Sequence, residues 1–538
     1  SIELGYSGGS HNKGRADVIL QGGADQAGEP SYVVSSSYFD TDGYRDHSAA
    51  RKVLSNAKLT WDLDDGSKIN WLLNHVDINA DDPQGLSRDK WKQNPKQVND
   101  AKNQYDVRKE INQTQTGLNW LKPLDDHNEM YSMIYAGHRE VTQYQSIPKG
   151  EFSINLGLDK DGNPIPSTSQ RNPRHAGGVI DFERDFYGAD LRWTGKDLLP
   201  NTRISAGLAY DAMSEDRQGY ENFDANNHFG VKGNLRRDEK NTLWNLDPYL
   251  QASWNFLPTW RIDTGLRYSN VHYESKDHYM AVGNGDDSGQ TDYKKVLPSA
   301  ALTWEITPQV STYASYSKGF ETPTFTEMAY PTVGTSGINF ALKPSSSDNY
   351  ELGMKSQNRL GNFTAAIFQS NTKDDIVSAG TVDGRATFQN ADKTLRQGVE
   401  LSWNQKLWRE LTAQASYSYL DATFDADIRN ADPKKVVKSG NAIPGVAENQ
   451  AYVSLGWQPE TGFNAGVDVR YMDKIYVDDL NTDTAPSYTV TSANIGYVWK
   501  NNDWKVRSYA RVDNLFDKDY IGSVIVNDGN GRFFEPAD

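Results

Sequence analysis

The chain has 538 residues, with 56 Lys and Arg against 72 Asp and Glu, a formal net charge of −16, and no cysteine. That charge disfavours nucleic acid as a partner, and the missing thiols exclude disulfide scaffolds, thiolate metal clusters and cysteine nucleophiles. No stretch approaches the roughly 18 apolar residues of a membrane-spanning helix, yet Trp, Tyr and Phe make up 11% of a chain that is only 37% apolar.

Read from the N-terminus, the residues alternate with period two, the mark of a strand with two unlike faces. Strands are expected at roughly 1–11, 15–24, 30–40, 51–63, 67–78, 111–122 and 128–140. Within the fourth, Ala57, Leu59, Trp61 and Leu63 oppose Asn56, Lys58, Thr60 and Asp62. The pattern resumes at roughly 178–195, 202–213, 243–256, 260–274, 293–306 and 309–319. It continues at roughly 347–357, 362–377, 393–406, 410–424, 446–458, 463–477, 487–500 and 503–516. In the last of these Trp504, Val506, Ser508, Ala510 and Val512 share one face, and Lys505, Arg507, Tyr509, Arg511 and Asp513 the other.

The connections alternate as well. Tight links such as Asp64-Asp65-Gly66-Ser67, Leu257-Pro258-Thr259 and Asn358-Arg359-Leu360-Gly361 have hairpin chemistry. Between them fall long polar stretches at 78–110, 140–178, 214–242, 275–292, 320–346, 421–445 and 473–486. Short turns on one side and long loops on the other are the signature of an outer-membrane barrel. The fold class expected is all-β, a transmembrane antiparallel β-barrel of the 22-stranded type. About 21 strands fall within the chain, and the even count required of such barrels places the last strand beyond Asp538. Trp61, Trp120, Trp193, Trp254, Trp304, Trp403, Trp457 and Trp499 lie near strand ends beside short turns, where an interfacial girdle belongs.

Several strings resemble the barrel of TonB-dependent outer-membrane receptors. They are Tyr313–Glu327 (YASYSKGFETPTFTE), Asn349–Gly353 (NYELG), Gln397–Leu401 (QGVEL), Tyr419–Ala422 (YLDA) and Val512–Tyr520 (VDNLFDKDY). Phe39–Asp46, Asp81–Gly85, Thr142–Pro148, Asp247–Gln251 and Gly522–Asn527 are similar to an enterobacterial orphan member of that family, a relative of ferric-citrate and ferric-siderophore receptors. The resemblance implies one barrel domain over 1–538, with the family's N-terminal plug absent from this sequence. It further implies an iron-chelate ligand, and the TonB–ExbB–ExbD complex as a partner acting through that plug.

Arginines and aromatics in long loops are the expected ligand contacts, because a guanidinium binds two oxygens of a carboxylate or phosphate at once. The candidates are Arg139, Tyr144, Arg171, Arg174 and His175 around loop 140–178, and Tyr220, Arg236 and Arg237, with Phe223, in loop 214–242. The competing reading for all of them is a solvated loop paired with its own carboxylates. His272, His278 and Met280 suggest a copper site by ligand type; on a strand the two histidines stand about 20 Å apart, so the spacing argues against it. Asp159–Asn163 opens like a calcium loop, but Pro164 and Gln170 stand where glycine and glutamate are needed.

Phosphate cradles, serine triads, His clusters and dinucleotide loops are not found, which favours a transporter over an enzyme and predicts neither cofactor nor resident metal. The function expected is uptake of a scarce iron chelate of the ferric-siderophore or ferric-citrate class. The localisation expected is the outer membrane of a Gram-negative bacterium, as a monomer among lipid and lipopolysaccharide, whose divalent cations would bridge acidic loop residues. A passive porin-like pore or a surface receptor used by phage is the alternative, and copper or cobalamin uptake ranks behind both.

Overall fold

The structure is a computed structural model that describes residues 1–26, 28–99, 104–147, 177–280, 285–331, 338–382, 385–429 and 434–538. Strands β1 (Ile2–Gly9), β2 (Lys13–Gly22), β3 (Ser31–Thr41), β4 (Ala50–Asp62) and β5 (Lys68–Asp81) precede a short helix α1 (Arg88–Gln93). Then come β6 (Arg108–Pro123), β7 (Asn128–Tyr144), β8 (Val179–Lys196), β9 (Thr202–Tyr220), β10 (Leu235–Leu257), β11 (Trp260–Asp277), β12 (Gly289–Thr307) and β13 (Val310–Glu321). After α2 (Phe325–Met328) follow β14 (Ser345–Asn358), β15 (Gly361–Val382), β16 (Arg385–Trp408), β17 (Leu411–Phe424), β18 (Asn449–Trp457) and β19 (Gly462–Met472). A small pair, β20 (Ile475–Tyr476) and β21 (Thr484–Ala485), leads to β22 (Tyr488–Asn501), β23 (Trp504–Val512), β24 (Tyr520–Val524) and β25 (Phe534–Ala537).

Strands β1 to β19 with β22 and β23 form one 21-stranded sheet, in which each strand pairs antiparallel with its neighbour in sequence. This is the count expected from the period-two segments. Register makes the two faces explicit. One cross-strand row runs Leu73, Thr116, Ala136, Tyr187, Ala212, Trp244 across β5 to β10. Four residues further toward the long loops, past one polar row, the same face reads Asp77, Asn112, Glu140, Glu183, Asp216, Lys240. An apolar band that ends this abruptly is the outer surface of a membrane barrel, and the opposite, polar face is its lumen.

The tryptophans expected to form a girdle bear this out. Trp61, Trp120, Trp193, Trp254, Trp304, Trp457 and Trp499 all lie within three residues of a strand end at a short turn, and Trp403 lies five from one. They meet further aromatics there, with Trp304 stacked on Trp260 at 5.1 Å between ring centroids and Trp408 on Trp457 at 5.8 Å. Side chains in the middle of the band are open, as at Ile134 and Leu191, both more than half exposed.

Because the sheet turns its apolar face outward, the compact hydrophobic clusters gather among the long loops instead. Leu86, Trp91, Val477, Ala485, Ile521 and Phe534 join the loop after β5, the β20–β21 loop and the β24–β25 hairpin. Val271, Tyr273, Phe325, Met328, Ile338 and Leu342 pack α2 against the upper part of β11.

Three expectations change. Segment 214–242, read as a long loop, is mostly strand: β9 continues to Tyr220 and β10 starts at Leu235, so only 221–234 connects them. Likewise β15 and β16 run on to Val382 and Arg385. These extensions rise above the apolar band, so neither face has an apolar stripe and the alternation that marks the other strands disappears. The helices α1 and α2 inside expected loops are the third difference; α2 is a single turn held by a capping box between Thr324 and Glu327.

Candidate functional site: a basic wall on the lumen face

Strands β7 to β10, 17 to 23 residues long, carry a group of charged side chains on their polar face at the long-loop end. Arg139 on β7 stands directly opposite Arg184 on β8, Arg184 opposite Glu215 on β9, and Arg217 on β9 opposite Glu239 on β10. Arg237 follows on the same face of β10, opposite Gly219. Period two explains the grouping: Glu215 and Arg217, like Arg237, Glu239 and Asn241, are spaced by two and so share one side of a strand.

Contacts link these groups into a chain. Arg184 Nη2 lies 2.6 Å from Glu215 Oε1. Asn241 Nδ2 donates to Glu215 Oε2 at 3.0 Å and to Glu239 Oε1 at 3.1 Å. Arg237 Nη2 sits 2.9 Å from Glu239 Oε1, an ion pair without hydrogen-bond alignment. Arg139 Nη1 donates to Gln113 Oε1 at 2.8 Å. Glu215 and Asn241 are fully buried, and Arg217 and Arg237 are 5% exposed.

Among the described residues, the four arginines face two glutamates, Glu215 and Glu239. Each buried carboxylate is satisfied, whereas the Nε atoms of Arg184 and Arg237 and the Oδ1 of Asn241 have no hydrogen-bond partner among the described residues. A buried donor without an acceptor costs free energy, so this wall has unused capacity for an anion with several oxygens.

A strap of chain lies across it. Arg237 Nη1 donates to the carbonyl of Ala329 at 2.7 Å, and Arg217 Nη2 to the phenol oxygen of Tyr330 at 3.3 Å. Both guanidinium groups also lie against the Tyr330 ring, at 5.2 and 5.7 Å from its centroid. The hydroxyl of Tyr273 on β11 donates to the Pro323 carbonyl, anchoring the other end of the strap.

Of the residues singled out in the sequence, Arg139 and Arg237 are brought together on this wall. Arg236 is not, because a bulge between Leu235 and Arg237 lets its Nε and Nη2 both donate to Glu221. Both Glu221 and Arg236 are almost enclosed. Tyr144 is buried under the guanidinium of Arg108, 3.7 Å from the ring centroid. Tyr220 donates to Gln218 and lies beneath Lys232. Phe223 packs near Phe229. Arg171, Arg174 and His175 fall outside the described residues.

Arg184, Arg217, Glu215, Glu239, Asn241 and Tyr330 were not anticipated. The signal for Glu215, Arg217 and Glu239 was present as charged residues at period two, Glu215 with Arg217 and Arg237 with Glu239, obscured by the expectation of a loop over 214–242; Arg184, between Phe182 and Phe186 in an expected strand, carries no such signal. Nothing local marks Tyr330, which reaches Arg217 across 113 residues.

The copper reading dissolves on geometry: His272 Nδ1 lies 2.6 Å from Asp292 Oδ1 and its ring packs on Trp244, so it pairs with a carboxylate and not with His278. Two other groups among the described residues have metal-compatible spacing, His47 with Asp81 and Asp106, and His138 with Glu140 and Glu183, their ligand atoms within 4.8 Å of one another. In both, the histidine already faces carboxylates.

Sheet, girdle, loop asymmetry and polar lumen together define an outer-membrane receptor barrel. Residues 23–515 match the family model described as TonB dependent receptor-like, beta-barrel, and the chain belongs to that family, whose members are outer-membrane receptors and transporters and not enzymes. The ferrioxamine B receptor of Salmonella typhimurium is 26% identical over 406 residues, covering 72% of this chain and 52% of that protein. The vitamin B12 transporter BtuB of Photobacterium profundum is 28% identical over 386 residues, covering 67% of this chain and 60% of that one. The chain thus spans about half the length of curated relatives it matches. The crystal structure of the siderophore receptor PiuA from Acinetobacter baumannii superposes with a TM-score of 0.75 at 16% identity, over 99% of this chain and 79% of that one; this likeness shows the fold.

Proposed function

We propose that this chain is the barrel portion of a receptor that imports an anionic iron chelate across the outer membrane of a Gram-negative bacterium. The observation that carries the reading is the excess of arginine over carboxylate, among the described residues, on the lumen wall formed by Arg139, Arg184, Arg217 and Arg237, of which Arg217 and Arg237 are buried. Siderophores and citrate present clustered carboxylate, hydroxamate or catecholate oxygens, and guanidinium groups match such oxygens in pairs. Arg139 and Arg237 are the contacts proposed from the sequence candidates; Arg184 and Arg217 join them. Energy would come from the TonB–ExbB–ExbD complex through a plug, as the family resemblance implies.

A relative that carries cobalamin shows that the fold alone does not name the cargo, whereas the basic wall favours an acidic one. The test is growth of a strain lacking the complete gene, and other iron receptors, on single ferric chelates. Loss of growth on one carboxylate-rich or other anionic chelate, restored by the gene, is the expected result. Unimpaired growth on every ferric chelate would favour a passive pore or a phage receptor instead.

A further inference from the structure

We propose that the strap Pro323–Tyr330 is an internal stand-in for the ligand: the Ala329 carbonyl and the Tyr330 phenol occupy anion positions on Arg237 and Arg217, and a polycarboxylate reaches the wall by displacing them. The inference rests on the anionic-ligand reading above and adds to it a competitor built into the chain.

Three observations carry it. First, among the described residues, the strap's hydrogen bonds to the wall arginines are accepted by a backbone carbonyl and a phenol oxygen, not by a carboxylate, at 2.7 Å from Arg237 and 3.3 Å from Arg217. A carboxylate in the same place forms charge-assisted hydrogen bonds roughly twice as strong as neutral ones. Second, the strap leaves the wall incompletely satisfied: Arg237 Nε and Arg184 Nε stay buried without acceptors, so an anion with more oxygens gains contacts that the strap does not supply. A ligand shifts a conformational equilibrium only by such a difference in contacts. Third, the strap is a preformed unit. Its single helical turn is closed by the reciprocal Thr324–Glu327 hydrogen bonds, and it is anchored away from the arginines through Phe325 against Tyr273, 5.4 Å between ring centroids, and through the buried Met328. The Ala329–Tyr330 end can therefore leave the wall while the turn stays intact.

In this arrangement Tyr330 helps to set selectivity. Its phenol must be outcompeted at Arg217, so a neutral ligand, or one with a single acceptor, gains too little to replace it. An anion that engages Arg217 and Arg237 together replaces both strap oxygens at once.

The chain has no cysteine, so Ala329→Cys introduces one thiol at a position only 1% exposed, shielded as long as the strap is seated. In outer-membrane vesicles holding the protein, its reaction with a maleimide is timed while citrate is added, and citrate binding is measured in parallel by calorimetry. Saturating citrate should raise the labelling rate by about tenfold. With Arg237→Gln added, labelling should be fast from the start and nearly indifferent to citrate. With Tyr330→Phe, which keeps the ring and removes the acceptor, half-maximal labelling should need about threefold less citrate. Citrate binding heat with unchanged labelling overturns the strap proposal and leaves the anion wall standing. No binding heat overturns the anion wall and the strap proposal with it. Unchanged citrate dependence in Tyr330→Phe rejects the phenol as competitor, and this variant needs no loss of charge, so it decides even if Arg237→Gln fails to fold as judged by heat-dependent gel mobility.

Discussion

Arg139 on β7 and Arg184 on β8 stand directly opposite each other on the lumen face, two like charges in register where an ordinary sheet places opposite ones. Arg184 has Glu215 at 2.6 Å, whereas among the described residues Arg139 has the neutral Gln113 as its hydrogen-bond partner. Such a pair costs stability in the empty protein and becomes favourable once an anion lies between the two guanidinium groups. Arg139→Gln should therefore leave barrel stability unchanged or raise it by about 0.5 kcal/mol, while weakening citrate binding about tenfold. Denaturant unfolding of the vesicle-inserted protein and calorimetry check the two halves separately.

The Arg236–Glu221 pair should behave in the opposite way. It is buried and, among the described residues, its charged groups form no hydrogen bond or ion pair with the wall arginines, so it is structural. Arg236→Ala leaves Glu221 charged and enclosed, at a cost on the order of 3 kcal/mol. Because the pair sits at the β9–β10 connection, the loss should appear as faster hydrogen exchange in 221–234. Citrate affinity should stay within about twofold of the parent, since no ligand-facing charge changes.

Asp479 supplies a pH dependence. Burial in the β20–β21 loop pushes its carboxyl up to about 6, the hydrogen bond from Asn527 opposes that shift, and Asp478 adds to it. Its folded pKa lies above its unfolded value of about 3.9, so folding favours the protonated form. The penalty for ionised Asp479 is absent at low pH and grows as pH rises from about 4 through about 6. Asp479→Asn should thus slow hydrogen exchange in 475–485 at pH 7.5, by an amount on the order of 2 kcal/mol, and make no difference at pH 4. Equal protection at both pH values would show that Asp479 is not the responsible group.

The assignment of the two sheet faces is testable with one lysine on each. Ile134 lies in the outward apolar band and is 58% exposed, whereas Gln115 on β6 belongs to the polar face. Ile134→Lys should cost about 2–4 kcal/mol in vesicle-folded protein, the price of a cation in the hydrocarbon layer. Gln115→Lys should be nearly neutral.

The wall shows why a sequence discloses some of this and hides the rest. Arg139 and Arg237 were legible because arginines near long loops are ready oxygen ligands wherever the loops go. Arg184 was not, since it stands within an expected strand, and Arg217 was not, although it lies in the same expected loop as Arg237, since only the pairing of β9 with β10 sets it opposite Glu239. Arg236 looked equivalent to Arg237 until the bulge at Leu235 turned it toward Glu221.

What the sequence by itself determined is whatever depends on neighbours along the chain. Alternation of apolar and polar residues set the strands, tryptophans beside short turns set the membrane boundary, and the alternation of short and long connections set the two ends of the barrel. Tertiary structure alone decided which charges meet: the registry that sets Arg139 against Arg184, and the strap that brings Tyr330 to Arg217. Local periodicity is encoded within a few residues, whereas cross-strand partners and a loop folded onto a distant wall depend on the closure of long chain segments, for which no short stretch of sequence carries a signal.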